Sequence, residues 1–166
     1  LVAGVAREKG FRGGSIAVEL QSYTLNGALY RALESALAPG NMEDATTLLG
    51  DLRVIKSASE MTYVREAARY TNLGLNAARE ALVPGATEIE VAAALEGAMR
   101  KAGSDYWAIP TEFSSGPRTP GGHSTPRERR IESGNLAHFE FAGVSHRYHA
   151  TAVHTMACGE PTAREK

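Results

Sequence analysis

The sequence predicts an α+β fold in which helices come first and paired strands follow. Two long amphipathic helices are predicted for residues 57–82 and 87–103, because apolar residues recur there at steps of three and four. A strand is predicted for residues 107–114. After a loop rich in Gly and Pro, two more strands are predicted for residues 136–142 and 147–157, around a turn at residues 143–146. Helices that precede a run of strands are typical of the α+β class.

Each of the two helices begins with a capping box. Ser57 with Glu60, and Thr87 with Glu90, have the spacing at which a hydroxyl and a carboxylate satisfy each other's backbone N–H groups. The apolar stripes predict the face that packs into the core. They consist of Met61, Val64, Ala68, Thr71, Leu75, Ala78 and Leu82 in the first helix, and of Val91, Ala92, Leu95, Met99 and Ala102 in the second.

The first fifty residues predict a small unit of helix, strand and helix. The helices span residues 1–9 and 26–37, the strand spans residues 15–20, and residues 41–50 are the expected boundary. This unit is too small to be a complete domain. The chain opens at Leu1 inside a predicted helix, so we expect it to be a portion of a longer protein.

Composition indicates a globular protein and argues against two kinds of partner. Hydrophobic residues make up 43% and charged residues 22%, with a net charge of −1. A chain this close to neutral gives no reason to expect a nucleic acid or an anionic membrane as partner. The single cysteine, Cys158, is interpreted as a small buried hydrophobe. A catalytic thiol would need a base, and His154 four residues away is not placed in contact by strand spacing.

A polar face is predicted on the two C-terminal strands, where four of the five histidines lie. We predict antiparallel pairing with Ala142 opposite Arg147, so that Glu140 faces His149. Alternation then puts four side chains on one face. They are His138, Glu140, His149 and Thr151.

Two chemical interpretations of this face stay open. Two imidazoles and a carboxylate are a reasonable set of ligands for zinc or manganese. Spacing alone favours the simpler interpretation, in which the histidines hydrogen-bond to neighbours or to water. The predicted core lies on the other face, with Phe139 and Phe141.

His123 is the candidate functional residue of the Gly- and Pro-rich loop, residues 116–126. Gly121 and Gly122 allow the backbone to turn sharply before it. Loops aimed by a scaffold often carry functional side chains, although a lone loop histidine is usually only solvated.

Five motifs, in order, resemble those of the creatinase and Xaa-Pro peptidase family. They are the R-x-I-K-S-x-x-E linker at residues 53–60, the pG-x-tE turn at 83–88, the sG…H loop at 115–123, the i-x-x-G-d lead-in at 131–135 and the gYhsDitRT…G strand at 148–159.

The resemblance implies the first half of a pita-bread catalytic domain, preceded by the tail of a smaller α/β domain. Residues 1–50 correspond to the C-terminal remnant of that N-terminal domain, and residues 51–166 to the N-terminal half of the catalytic domain. The other half would carry the family's later metal-binding residues and much of the substrate pocket. The fragment alone is therefore expected to be inactive.

The family's metal-dependent members have two aspartates, eleven residues apart, on the paired strands. Glu140 and Thr151 occupy those positions here, and His154 replaces the arginine of the RT pair. Threonine is neutral and is a poor ligand for a divalent ion. The resemblance therefore implies that no metal and no other cofactor is required.

Residues 140–143 and 147–149 are similar to the E-x-AG…RYH stretch of ectoine hydrolases, and creatinase keeps the fold and the loop histidine without a metal. The resemblance thus implies a hydrolase of a C–N bond in a small amidine, amide or Xaa-Pro substrate. His123 would move a proton between water and the departing nitrogen, as an imidazole suits. Glu140 would orient a cationic group or assist the water, and Tyr148 and His149 would line the pocket.

Two alternatives remain. One is a metal-dependent Xaa-Pro peptidase in which Glu140 and His149 bind manganese or zinc. The other is a pita-bread fold retained only for binding. The resemblance also implies a cytoplasmic homodimer that takes a small molecule or a short peptide.

Overall fold

The computed structural model describes residues 1–107 and 109–161, and the chain divides into two compact units between Lys56 and Ser57. The predicted boundary lay at residue 50. Ala108, inside the predicted strand 107–114, and residues 162–166, inside the predicted second domain, lie outside the described residues.

The first unit contains three helices and a parallel pair of short strands. These are α1 (Val2–Glu8), β1 (Ser15–Val18), α2 (Gly27–Leu37), β2 (Asn41–Asp44) and α3 (Leu48–Val54). The first three elements were predicted. The last two lie where a linker was expected, because the sequence of β2, NMED, has no apolar alternation to signal a strand.

The second unit begins with the two predicted helices, α4 (Ala58–Ala81) and α5 (Glu88–Lys101). Both capping boxes are confirmed. Ser57 accepts a hydrogen bond from the Glu60 backbone and Thr87 accepts one from the Glu90 backbone, while each glutamate accepts from the backbone N–H of its partner. The two helix starts are therefore determined by local sequence. None of the helices in the described ranges is both long and apolar enough to cross a membrane.

The helices pack against an antiparallel sheet whose strands lie in the order β3 (Glu112–Ser115), β4 (Leu136–Ser145) and β5 (Tyr148–Ala157). Phe139 and Phe141 point into the core as predicted, and Phe113 of β3 stacks on Phe139 with ring centroids 4.3 Å apart. The core is completed by apolar residues of both helices, which include Ala78, Leu82, Val91, Ala92, Leu95 and Met99.

The register predicted between β4 and β5 is wrong. Ala142 lies opposite Thr151, not opposite Arg147. The strands continue to a two-residue turn at His146 and Arg147, whose φ angles are 50° and 66°. Positive φ at both central positions is the geometry that suits the twist of a hairpin, but these two residue types do not signal it. Gly143, which suggested an earlier turn, lies inside β4.

The corrected register changes the partners but preserves the faces. Glu140 lies opposite Val153 and His138 lies opposite Thr155, while His149 lies opposite Val144. Directly opposed residues share a face, so the polar side chains predicted for one face still belong to it. The facing of Glu140 and His149, on which one metal alternative depended, does not occur.

Candidate functional site

The site is a cluster of two carboxylates and one imidazole on the face of the sheet opposite the phenylalanine core. Glu112 of β3 lies directly opposite Glu140 of β4. His123 Nδ1 is 2.5 Å from Glu112 Oε2 and 3.4 Å from Glu140 Oε2. The two glutamates are partly buried, with side chains 27% and 22% exposed, whereas the His123 side chain is 74% exposed.

The loop between β3 and β4 brings His123 back to the sheet. A 3-10 helix, Gly116–Gly121, follows β3, and Gly122 adopts a φ of 62° that favours glycine. The chain then returns beside its starting strand, because the Phe113 N–H donates to the Ser124 carbonyl at 2.8 Å. His123 is thus placed by the turn at Gly122 before it and by the backbone hydrogen bond of Ser124 after it.

A positive charge would stabilise the two carboxylates of the cluster. Carboxylates directly opposite each other on neighbouring strands repel, and partial burial weakens the screening of that repulsion by water. A protonated His123, a cationic substrate group or a metal ion would each relieve the repulsion. The ligand atoms that Glu112, His123 and Glu140 offer all lie within 4.8 Å of one another.

Sequence reasoning missed Glu112. It belongs to the predicted strand 107–114, so its presence on a strand was foreseen. Nothing in the sequence indicated that this strand pairs with β4 so that Glu112 meets Glu140. The available signal was an acidic residue in the strand before the His123 loop, where side chains alternate between the two faces of the sheet.

The remaining predicted residues lie outside the cluster. His149 and Thr151 are exposed on the same face as Glu140 but closer to the hairpin turn, and the His149 ring meets Tyr106 edge to face at 6.3 Å. His138 Nδ1 lies 2.9 Å from Thr155 Oγ1, a hydrogen bond of the kind expected for a simple polar face.

Tyr148 lies on the helix side of the sheet. Its hydroxyl donates to Glu60 Oε1 at 2.8 Å, and its ring stacks on Tyr63 with centroids 5.6 Å apart. Successive residues of a strand point to opposite faces, so Tyr148 and His149 cannot line the same wall. The structure therefore does not bring Tyr148 to the cluster.

Cys158 is fully buried, and its thiol faces the Leu82 carbonyl with Sγ 3.8 Å from the oxygen. Burial raises the pKa of the thiol, because the thiolate would lose hydration. The side chain is therefore suited to packing rather than to nucleophilic attack.

Residues 62–166 match metallopeptidase family M24. The chain belongs to this family. Among curated relatives, hydrolase/peptidase y4tM of Sinorhizobium fredii is 30% identical over 154 residues, which cover 90% of this chain and 39% of the relative. The ectoine hydrolase of Halomonas elongata is 27% identical over 165 residues, which cover 93% of this chain and 41% of that enzyme.

A solved M24 structure confirms the fold. The Xaa-Pro dipeptidase of Bacillus anthracis superposes with a TM-score of 0.85 and 29% identity over 98% of this chain and 44% of that one. The predicted α+β architecture, part of a pita-bread domain, is therefore correct. The chain spans less than half the length of the relatives it matches.

The metal positions that the family resemblance implied do not form a pair of carboxylates in this M24 chain. Glu140 contacts His123, while Thr151 lies opposite Ala142 and offers a neutral hydroxyl. A divalent ion prefers charged oxygen or imidazole ligands. The two positions by themselves therefore do not fit the ion, and the groups that do converge are Glu112, His123 and Glu140.

Proposed function

We propose that the protein hydrolyses a C–N bond in a small amidine or amide, or in an Xaa-Pro peptide, with His123 as general acid and base and without a resident metal ion. The observation that supports this proposal is the position of His123, in contact with Glu112 and near Glu140 on an open face of the sheet. The similarity to the ectoine hydrolase of Halomonas elongata supports the substrate class.

In the proposed reaction, His123 accepts a proton from a water molecule as the water oxygen bonds to the substrate carbon. The C–N bond then breaks, and the same imidazole donates the proton to the departing nitrogen. Glu112, in contact with Nδ1, would orient the ring and stabilise the imidazolium between the two steps. The high exposure of His123 leaves the rest of the ring accessible to water and substrate.

Glu140 would bind a cationic group of the substrate. Its carboxylate lies beside the histidine and opposite Glu112, so a planar amidinium placed there would relieve the repulsion between the two carboxylates. A substrate held in this way would be oriented toward His123.

We propose a direct substrate contact for His149 and an indirect role for Tyr148. His149 is exposed on the same face as Glu140 and lies beside Tyr106. Tyr148 is engaged by Glu60 and Tyr63, so it would act by holding the end of the hairpin that carries His149.

Replacement of His123 by Ala in the full protein tests this function. We expect kcat on ectoine, or on the dipeptide Ala-Pro, to fall about 10²–10⁴-fold, the contribution of a general acid-base group. His138→Ala is the matched control, because His138 lies on the same face but bonds to Thr155. It should change kcat only slightly. Loss of hydrolysis in the His123 variant would exclude a pure binding role, whereas retention of full activity would contradict the assignment.

The second candidate is a metal-dependent M24 peptidase with an altered set of ligands. The observation that favours it is the convergence of Glu112, His123 and Glu140, an imidazole and two carboxylates of the type that bind manganese or zinc. In this alternative His123 would act as a metal ligand rather than as the general acid and base.

For the full protein we further propose a cytoplasmic homodimer that acts on a small molecule or a short peptide. The family resemblance supports this proposal. The near-neutral charge of the chain agrees with a partner other than nucleic acid or an anionic membrane.

A further inference from the structure

Glu88 is a carboxylate with no exposure to solvent at the first residue of α5. Transfer of a charged carboxylate out of water is costly unless partners satisfy its oxygens. The structure satisfies this carboxylate with donors from residues 115–127, the stretch of chain that carries His123. These contacts join the start of α5 to the chain around His123.

The carboxylate joins the two ends of that loop. At the end of β3, the Ser115 N–H and Oγ donate to Glu88 Oε1 at 2.9 and 2.8 Å. Where the loop returns, the Arg127 N–H donates to Glu88 Oε2 at 3.0 Å. The same oxygen pairs with the guanidinium of Arg118.

Arg118 extends this connection to the chain next to His123. Its Nη2 donates to the Thr125 carbonyl at 3.1 Å while its Nη1 contacts Glu88. The outgoing and returning halves of the loop are thus tied to each other and to α5. The fork geometry of a guanidinium allows one side chain to make both contacts.

His123 itself lacks the packing that would hold it in place, since its side chain is 74% exposed. Its position over Glu112 and Glu140 depends on the backbone of the loop. We propose that Glu88 is a positioning residue for His123, which acts by anchoring both ends of the 115–127 segment. The catalytic part of this inference rests on the proposed function, whereas the anchoring part does not.

The test compares Glu88→Gln with Glu90→Gln in the full protein. Both glutamates lie in the first turn of α5, but Glu90 is exposed and bonds to Thr87 in the capping box. Glutamine preserves the size of Glu88 and removes its charge. Loss of hydrogen bonds to a charged group corresponds to about a 10–100-fold change in an equilibrium.

We therefore expect the amide hydrogens of Ser115 and Arg127 to exchange about 10–100-fold faster in Glu88→Gln than in Glu90→Gln. On ectoine or Ala-Pro, kcat should fall about 10–100-fold with KM within about threefold, because orientation of the histidine affects the reacting state more than binding. If Glu88 had only a structural role, its replacement would lower the melting temperature but would not lower kcat while leaving KM nearly unchanged.

Arg118→Lys provides a second route if Glu88→Gln does not fold. Lysine retains the charge but cannot contact both Glu88 and Thr125, so exchange at Arg127 should rise and kcat should fall in the same direction. Unchanged exchange at Ser115 and Arg127 in the folded variants would overturn the proposal. If the wild-type protein hydrolyses neither probe, the proposed function fails, and the exchange rates still decide whether Glu88 anchors the loop.

Discussion

At the scale of single residues, Gly143 shows how closely the sheet approaches α4. A Cβ built on Gly143 would meet the Ala67 carbonyl, and would lie 2.8 Å from Tyr70 Cβ and 2.9 Å from Thr71 N. This close approach allows a hydrogen bond, in which the Gly143 N–H donates to Thr71 Oγ1 at 2.9 Å. Thr71 Oγ1 also lies 2.6 Å from the Ala150 carbonyl, so one hydroxyl links the helix to two strands.

Gly143→Ala should lower the free energy of unfolding by about 1–3 kcal/mol, since the atoms in the way belong mostly to the α4 backbone and cannot rotate aside. Gly97→Ala in α5 is the matched control. No atom of the described residues lies within 4 Å of a Cβ at Gly97, so alanine there should stabilise the helix by about 0.5–1 kcal/mol. Urea unfolding of both variants measures the two effects, and equal effects of one sign would disprove this account of the packing.

The residues of the site were only partly predictable. His123 and Glu140 were foreseen as candidates, one from its loop and one from its strand. Their closeness to Glu112 was not, because it arises from the pairing of β3 with β4. The predicted pairing of Glu140 with His149 failed for a related reason, since a turn without glycine set the register.

At the scale of elements, two acidic residues in the first turn of α5 have different roles. Glu88 points inward to the His123 loop, and Glu90 points outward to the capping box. The Thr87 N–H donates to Glu90 Oε2 at 2.7 Å, and the Glu90 N–H donates to Thr87 Oγ1 at 3.2 Å. The helix macrodipole favours both negative charges at this end.

The capping box makes part of the stability of α5 dependent on pH. Hydrogen bonds from the backbone, and then the side chain, of Thr87 lower the pKa of Glu90 below its ordinary value of 4.5. A carboxyl whose pKa is lower in the folded state contributes stability above its unfolded pKa. This contribution is lost as the pH falls through the folded value.

Glu90→Gln should therefore be less stable than the wild type at neutral pH, and the difference should shrink as the pH falls below 4.5 and through the lowered pKa of Glu90. Urea unfolding at several pH values gives the difference directly. Gln can still accept the hydrogen bond from Thr87, so the variant isolates the charge. A difference that stays constant over this range would show that the ionised carboxylate is not the stabilising form.

At the scale of the whole molecule, the second unit is a sheet with helices on one face and the candidate site on the other. The exposed face of β5 includes His149, Thr151, Val153 and Thr155. Val153 is 59% exposed, which is unusual for an apolar side chain at the centre of a strand. The chain spans less than half the length of its M24 relatives. The metal-free and the metal-dependent hypotheses are therefore to be distinguished by the activity of the full protein.

Removal of metal ions from the full protein distinguishes these hypotheses. If His123 acts without an ion, dialysis against a chelator should leave hydrolysis of ectoine or Ala-Pro within about twofold, since no step passes through a metal. Elemental analysis should find less than one equivalent of manganese or zinc. Activity that disappears on chelation and returns with a stoichiometric ion, but not in Glu112→Gln, would establish the metal-dependent alternative.

The sequence by itself determined the features that depend on local chemistry. Capping boxes set the starts of α4 and α5, and strand alternation put Phe139 and Phe141 in the core. Apolar periodicity predicted the buried face of α5, but only part of that of α4, where Ala67, Tyr70 and Gly74 are buried outside the predicted stripe. Ordered motifs indicated the family. All of these signals lie within a few residues of the feature that they specify.

Only the tertiary structure decided the contacts between distant segments. Local pattern cannot relate the residues that form these contacts. They are the paired residues of the hairpin, the cluster of Glu112, His123 and Glu140, and the hydrogen bonds of Glu88 to the His123 loop. Period-two alternation assigns a side chain to a face but leaves its partner on the next strand open. That partner is chosen by the turn geometry and by packing against the helices, which exist only once the chain has folded.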